Sequence, residues 1–214
     1  MGLAGCGLRV SGFSLTRNPI TRNPLTSMMK HIAIFASGGG SNARKIIEYF
    51  AESPEVKVAL IVSNKKDAGV LDIARAHQIP TQIIGRQMFY ETEDLLEILR
   101  QYHIDFIVLA GFLWLIPAWL VRHYQLRMVN IHPALLPKYG GKGMYGMHVH
   151  EAVRAANEPE TGITIHYVNE RYDEGDIIFQ ARCPVASTDT PADIARKVHE
   201  LEHRHFSRVI EEIL

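Results

Sequence analysis

The chain has 214 residues, 47% hydrophobic and 21% charged, the proportions of an ordinary globular protein. Lys plus Arg number 23 and Asp plus Glu number 23, so no broad field draws it to nucleic acid or an anionic membrane, and any bound anion must be met by local geometry. Two cysteines, Cys6 and Cys183, are too few for a disulfide scaffold and suit a reducing compartment, expected to be the cytoplasm.

Residues 1–28 lack acidic side chains and contain the near-repeat TRNPITRNPLT. Asn-Pro disfavours helix and proline cannot donate to a sheet ladder, so no packed element is expected there. The segment is read as a disordered extension or a start assigned too early, with the chain proper beginning at Met28 or Met29. Its Arg and Ser content also admits an organelle transit peptide. From His31 the punctuation is regular. HIAIFAS is a strand ending in three glycines, and SNARKIIEYF has helical spacing. VKVALIVS is a second strand, LDIARAHQ a helix, PTQII a third strand and ETEDLLEILRQYH a helix with an acidic first turn. DFIVLAGF is a strand apolar along its whole length, as burial on both faces requires, and far too short to span a bilayer. PAWLVRHY predicts a helix, RMVNIHP a fifth strand, HVHEAVRAAN a helix, GITIHYV and DIIFQARCPV two strands, and a final helix begins at about Pro191. The alternation predicts an α/β fold: a Rossmann-like open sheet, mainly parallel, with helices on both faces and residues 29–214 forming one domain. Ligands on such sheets bind at the carboxyl ends of the strands.

Three loops sit at those ends: SGGGSN, the segment after LAGF, and NIHPALLP. In SGGGSN the glycines let backbone approach a ligand, and Ser41 or Asn42 is expected to cap the helix, making a phosphate cradle from N–H groups and the helix dipole. A dinucleotide reading wants an acid at the end of the second strand, and Val62-Ser63-Asn64-Lys65 supplies none. The other reading is an ordinary tight turn. In NIHPALLP, strand alternation puts Asn130 and His132 on one side and Ile131 on the other. An amide beside an imidazole can donate to a developing oxyanion or move a proton. On GITIHYV, Thr164 and His166 likewise share a side. The loop Glu170-Arg171-Tyr172-Asp173-Glu174-Gly175-Asp176 holds four acids, and pattern alone selects none of them.

Near the end, His199-Glu200-Leu201-Glu202-His203 spells H-E-x-x-H, a zinc-hydrolase signature that would make Glu200 a base. The extended form needs a histidine six positions after the second, where this chain has Val209. On the helix Ile194, Val198, Leu201, Phe206, Val209 and Ile213 define the apolar side. Glu202 falls within that stripe, where a carboxylate is costly without a partner.

Taken together, IAIFASGGGSN, IVSNKKDAGVLDIA, LAGFLWLIP, NIHPALLPKYGG, HEAV, TGITIHYVNERYDEGDIIFQ and ELEHRHF resemble the folate-dependent phosphoribosylglycinamide formyltransferase family, in order and from about Met29 onward. The resemblance implies transfer of a formyl group from 10-formyltetrahydrofolate to the amine of glycinamide ribonucleotide, in purine synthesis and without metal. It implies that Asn130 and His132 are the catalytic pair and that Asp173 positions the histidine and raises its pKa. It implies acceptor contacts at Gly40, Ser41, Asn42 and Glu202, and folate contacts at Leu113, Trp114, Leu115, Ile116 and Asn130. Small molecules are then the expected partners, with the chain a monomer or homodimer. Trp114 stands where the family commonly has arginine. Arg86 is offered for an arginine contributed ahead of the DLLEIL helix. The loop KYGGKGMYGMHVH is longer than in many relatives, and His148 and His150 are expected to be solvated, with a ligand contact at His148 as the alternative. Formyltetrahydrofolate hydrolases and methionyl-tRNA formyltransferases share NIHPALLP but carry further domains, which a chain ending at Leu214 is not expected to have. A zinc hydrolase acting through HELEH, and a silent binding protein on this fold, are the readings from other classes.

Overall fold

The structure is a computed structural model and describes residues 29–214; the expectation for residues 1–28 lies outside the described residues. In chain order the elements are β1 (Lys30–Phe35), α1 (Ser41–Phe50), β2 (Val56–Ser63), α2 (Val70–Ala76), β3 (Thr81–Ile83), α3 (Arg86–Tyr90), α4 (Asp94–Gln101), β4 (Phe106–Leu109), α5 (Ala118–His123), β5 (Met128–His132), α6 (Met147–Ala155), β6 (Glu160–Tyr167), β7 (Ile177–Pro184) and α7 (Pro191–Ile213). Every expected strand is present. The expected helix over ETEDLLEILRQYH instead begins at Asp94, behind a turn in which the Thr92 hydroxyl donates to Asp94 Oδ2 at 2.9 Å. The five-residue α3 ahead of it is too short to print a helical period in the sequence.

The seven strands form one sheet in the order β3-β2-β1-β4-β5-β6-β7. Neighbours from β3 through β5 run parallel, whereas β5–β6 and β6–β7 pair antiparallel. Along β1 the side chains alternate between two cores. Ile32 and Ile34 join Ile46, Val70, Val129, Ile163 and Val198 on one face, and Ala33 and Phe35 join Leu60, Leu95, Leu99, Ile107 and Leu120 on the other. Burying a side chain of this size contributes about 1.5–3 kcal/mol, so strands apolar on both faces are held in the middle layer. The order reverses at β1, whose neighbours are β2 and β4. The chain after β1 and after β4 therefore leads to helices on opposite faces, α1 and α5, and leaves a crevice at the carboxyl ends of the strands.

The long helix α7 starts at Thr190, whose hydroxyl accepts from the Asp193 N–H while Asp193 Oδ2 accepts from the Thr190 N–H. This reciprocal capping, with Pro191 in the first turn, fixes where the helix begins. Its apolar stripe packs on the sheet and includes Glu202, which is 5% exposed.

Candidate active site

Gly40 closes the SGGGSN turn at φ +78°, and a Cβ there would sit 2.8 Å from the Val70 side chain. Glycine is thus required both for the left-handed conformation and for the approach of α2. Gly40 is itself the N-cap of α1, and no side chain caps the helix. This corrects the expectation that Ser41 or Asn42 would do so. With that role vacant, Asn42 turns its amide away from the helix end and donates from Nδ2 to Glu202 Oε2 at 2.9 Å. The first turn of α1 keeps N–H groups without intrahelical partners, at the positive end of its dipole. The β1 and β4 loops are stitched together where Ser37 N–H donates to the Gly111 carbonyl at 3.0 Å and Leu113 N–H donates to Ser37 Oγ at 2.9 Å.

At the end of β5, Asn130 and His132 point to one side and converge on Asp173. Asn130 Nδ2 lies 3.4 Å from Asp173 Oδ1, and His132 Nδ1 lies 3.5 Å from Asp173 Oδ2. His132 Nε2 donates to the Tyr139 carbonyl at 2.7 Å, which places a proton on that nitrogen. His166, directly opposite Asn130 in the antiparallel register, donates from Nδ1 to its neighbour's Tyr167 carbonyl at 2.8 Å. Its Nε2 is then an acceptor and takes a hydrogen bond from Asn130 Nδ2 at 3.1 Å. Both amide hydrogens of Asn130 are thus used within the network, and a carbonyl oxygen in the crevice must take one over. The Gly141 N–H donates to Asp173 Oδ2 at 2.9 Å, so the 138–146 loop is tied by backbone to both His132 and Asp173.

The D-x-G spacing has a steric cause. A Cβ on Gly175 would lie 1.7 Å from the Tyr167 carbonyl oxygen, the same oxygen that fixes His166. Asp173 itself sits at φ +56°, a conformation aspartate tolerates better than bulkier residues.

Burial pushes the Asp173 carboxyl up, but the His166 and His132 imidazoles beside it and the Gly141 N–H together hold it below the usual carboxylate range. For His132 burial is the largest influence and lowers the pKa; Asp173 and the Tyr139 carbonyl oppose it without winning. The carboxylate raises this histidine as expected, but burial outweighs it: His132 rests neutral, and Asp173 favours a second proton only at the facing Nδ1. Burial likewise raises the Glu202 carboxyl, against the Asn42 hydrogen bond.

These groups line a crevice of about 740 Å³ that takes in the SGGGSN loop, Leu113, Asn130, His132, Asp173 and Glu202. Beyond Asn130 and Asp173 a recess of about 60 Å³ is walled by Trp114, Leu115, Ile116 and His166. Trp114 packs at 5.6 Å from the Phe89 ring and carries the Arg86 guanidinium 5.2 Å above its own. The expected site residues are all brought to this crevice and its recess.

Two side chains were not selected from sequence. His166 lay on a marked polar face, but its pairing with Asn130 required the strand register. His150 was expected to be solvated; it is 2% exposed and lines the crevice, while His148 is exposed beside Tyr145. The signal available for His150 was its three-residue spacing from Val153 on the buried side of α6. In HELEH, the His199 and His203 rings stack 6.3 Å apart, and it is Glu202 that faces inward. Among the described residues no three His, Cys, Asp or Glu side chains are grouped to hold a metal ion, and no helix is long and apolar enough to cross a membrane.

The family described as formyl transferase matches residues 30–210. A chloroplastic phosphoribosylglycinamide formyltransferase of Arabidopsis thaliana is 43% identical over 187 residues, covering 85% of this chain and 64% of the plant protein. The phosphoribosylglycinamide formyltransferase of Bacillus subtilis is 35% identical over 191 residues, covering 87% of this chain and 95% of the bacterial one. Among solved structures, the phosphoribosylglycinamide formyltransferase of Bacillus halodurans superposes with a TM-score of 0.77 at 36% identity, over 86% of this chain and 95% of that one. The chain thus spans less than two thirds of the plant relative's own length and nearly the whole of the bacterial ones.

Proposed function

The chain belongs to the phosphoribosylglycinamide formyltransferase family, and from that membership we propose that it transfers a formyl group from 10-formyltetrahydrofolate to the amine of glycinamide ribonucleotide. The observation that carries this reading is the convergence of Asn130 and His132 on one buried carboxylate, Asp173, inside a crevice that also reaches SGGGSN and Glu202. The acceptor's phosphate is assigned to Gly40, Ser41 and Asn42, where backbone N–H groups can meet an anion in a chain with no net positive charge. Its glycinamide end is assigned to Glu202. The folate is assigned to Leu113, Trp114, Leu115, Ile116 and Asn130, along the recess.

The acceptor amine attacks the formyl carbon, forming a C–N bond and leaving negative charge on the former carbonyl oxygen. Asn130 and the His132 Nε2–H, the latter on exchanging the Tyr139 carbonyl for the oxyanion, are the donors for that charge. The oxyanion raises the proton affinity of the neutral imidazole beside it, and Asp173 faces the nitrogen that would take the proton. Collapse breaks the bond from carbon to the folate nitrogen, which receives the proton given up by the attacking amine. No step is assigned to a metal.

Residues 29–214 are proposed to form one catalytic domain, acting as a monomer or homodimer on small molecules and not on nucleic acid or membrane. The compartment is proposed to be the cytoplasm, from the two cysteines; organelle import, which the name of the plant relative carries, is the alternative that cell fractionation separates. The test of the function is a spectroscopic assay of folate product release with glycinamide ribonucleotide present and absent. Release that requires the ribonucleotide is expected. Equal release without it would indicate a hydrolase, and no release at all a binding protein.

A further inference from the structure

One wall of the crevice carries a side chain the mechanism leaves unused. His150, on α6, is 2% exposed, and its Nδ1 is sealed from water with no hydrogen-bond partner. No protein group bonds its other nitrogen either, and the residue lines the crevice, so Nε2 is the ring atom that opens on that space. Burial, followed by the nearby His199 and His132, lowers its pKa to about 4, so the ring is neutral at physiological pH. A neutral imidazole holds one proton. A sealed N–H without an acceptor is rarer in folded proteins than an under-used acceptor. The proton therefore belongs on Nε2 and the lone pair on the sealed Nδ1. The Nε2–H, which no protein group accepts, is left to donate to a partner that arrives in the crevice from outside.

We propose that His150 binds the acceptor substrate, its Nε2–H donating to an oxygen of the phosphoribosyl group. The placement fits that role. His150 faces the same crevice as the SGGGSN loop, assigned to the phosphate, and as Glu202, assigned to the glycinamide end. The part of the acceptor between those ends is rich in oxygen acceptors. A neutral donor holds such an oxygen without placing a cation beside His132. This proposal rests on the functional reading above and adds a contact to it.

The test compares His150→Phe, which fills the space without a donor, with His150→Gln, which keeps one. Glycinamide ribonucleotide binding is measured by calorimetry on the full chain, and steady-state kinetics are run in parallel. In His150→Phe the dissociation constant and the KM for the ribonucleotide are expected to rise about tenfold, with kcat and the folate KM within about twofold. His150→Gln is expected to recover most of the loss. Unchanged affinity in His150→Phe, or an equal loss in both variants, overturns the proposal and leaves the functional reading standing. If the parent protein fails to bind the ribonucleotide, both fall together. Nitrogen-15 shifts of the ring give an independent reading: a ligand-free Nδ1–H tautomer overturns the assignment of the donor.

Discussion

Asn42 at the start of α1 and Glu202 in the middle of α7 meet across the crevice, with Nδ2 2.9 Å from Oε2. The contact joins two ends of the described chain at the point where acceptor binding is proposed. It also explains how a carboxylate survives in an apolar helix stripe: one oxygen is partnered, and burial raises its pKa. Glu202→Gln keeps an oxygen for the Asn42 amide and removes the charge. The variant is expected to fold with an unchanged or slightly raised melting temperature, while the KM for the ribonucleotide rises at least about tenfold. An unaltered KM would remove Glu202 from the binding site.

Asp173→Asn tests the electrostatic part of the mechanism. Asparagine tolerates the positive φ of this position and can still accept from the Gly141 N–H. The negative charge facing His132 Nδ1 is lost. The expected result is a fall in kcat of about two to three orders of magnitude with the substrate KM values little changed. A kcat within a factor of about three would show that His132 needs no carboxylate.

Stability should fall on acidification, and His150 should account for much of it. A histidine held below its ordinary value binds fewer protons folded than unfolded. Its stabilisation is complete above 6.5 and declines as pH drops towards the folded value of about 4. A shift of this size corresponds to about 3 kcal/mol once the pH is below both values. Burial also lowers His132, His203 and His205, which act in the same direction. Melting temperatures measured between about pH 7.5 and pH 5 should drop steeply in the parent protein and less steeply in His150→Gln. Parallel curves would assign the acid sensitivity elsewhere.

HELEH yields a prediction about metal. Its inward-facing glutamate is taken by Asn42, and His199 remains more than half exposed on the helix flank. Dialysis against a chelator is expected to leave formyl transfer unchanged. Stoichiometric zinc, with activity lost on its removal and regained on its return, would restore the hydrolase reading.

Gly40→Ala probes the proposed phosphate loop through its backbone. The left-handed φ and the 2.8 Å approach to Val70 together should cost about 1–3 kcal/mol, read as a lowered melting temperature. The ribonucleotide KM should rise as the loop shifts, and a variant as stable as the parent would mean that the turn relaxes freely.

The sequence by itself determined the order of the strands along the chain, the layered α/β class and the shared face of Asn130 and His132. These are local properties: strands apolar along their length, alternating with amphipathic helices, imply a buried parallel sheet, and alternation along NIHP puts an amide and an imidazole on one face. It also marked Glu202, because a charge in an apolar stripe is visible in a helical period. Residue pattern left Asp173 undistinguished among four acids and only the family resemblance pointed to it; the tertiary structure supplies the physical reason, with Gly175 passing against the Tyr167 carbonyl and the Asp173 carboxylate set beside His132. Only it paired His166 with Asn130 and placed the Tyr139 carbonyl on the His132 imidazole, since strand register and loop path are non-local. The direction of the His132 pKa was decided the same way. The resemblance names the carboxylate that raises it, whereas the burial that outweighs the carboxylate exists only once the chain has folded around the end of β5.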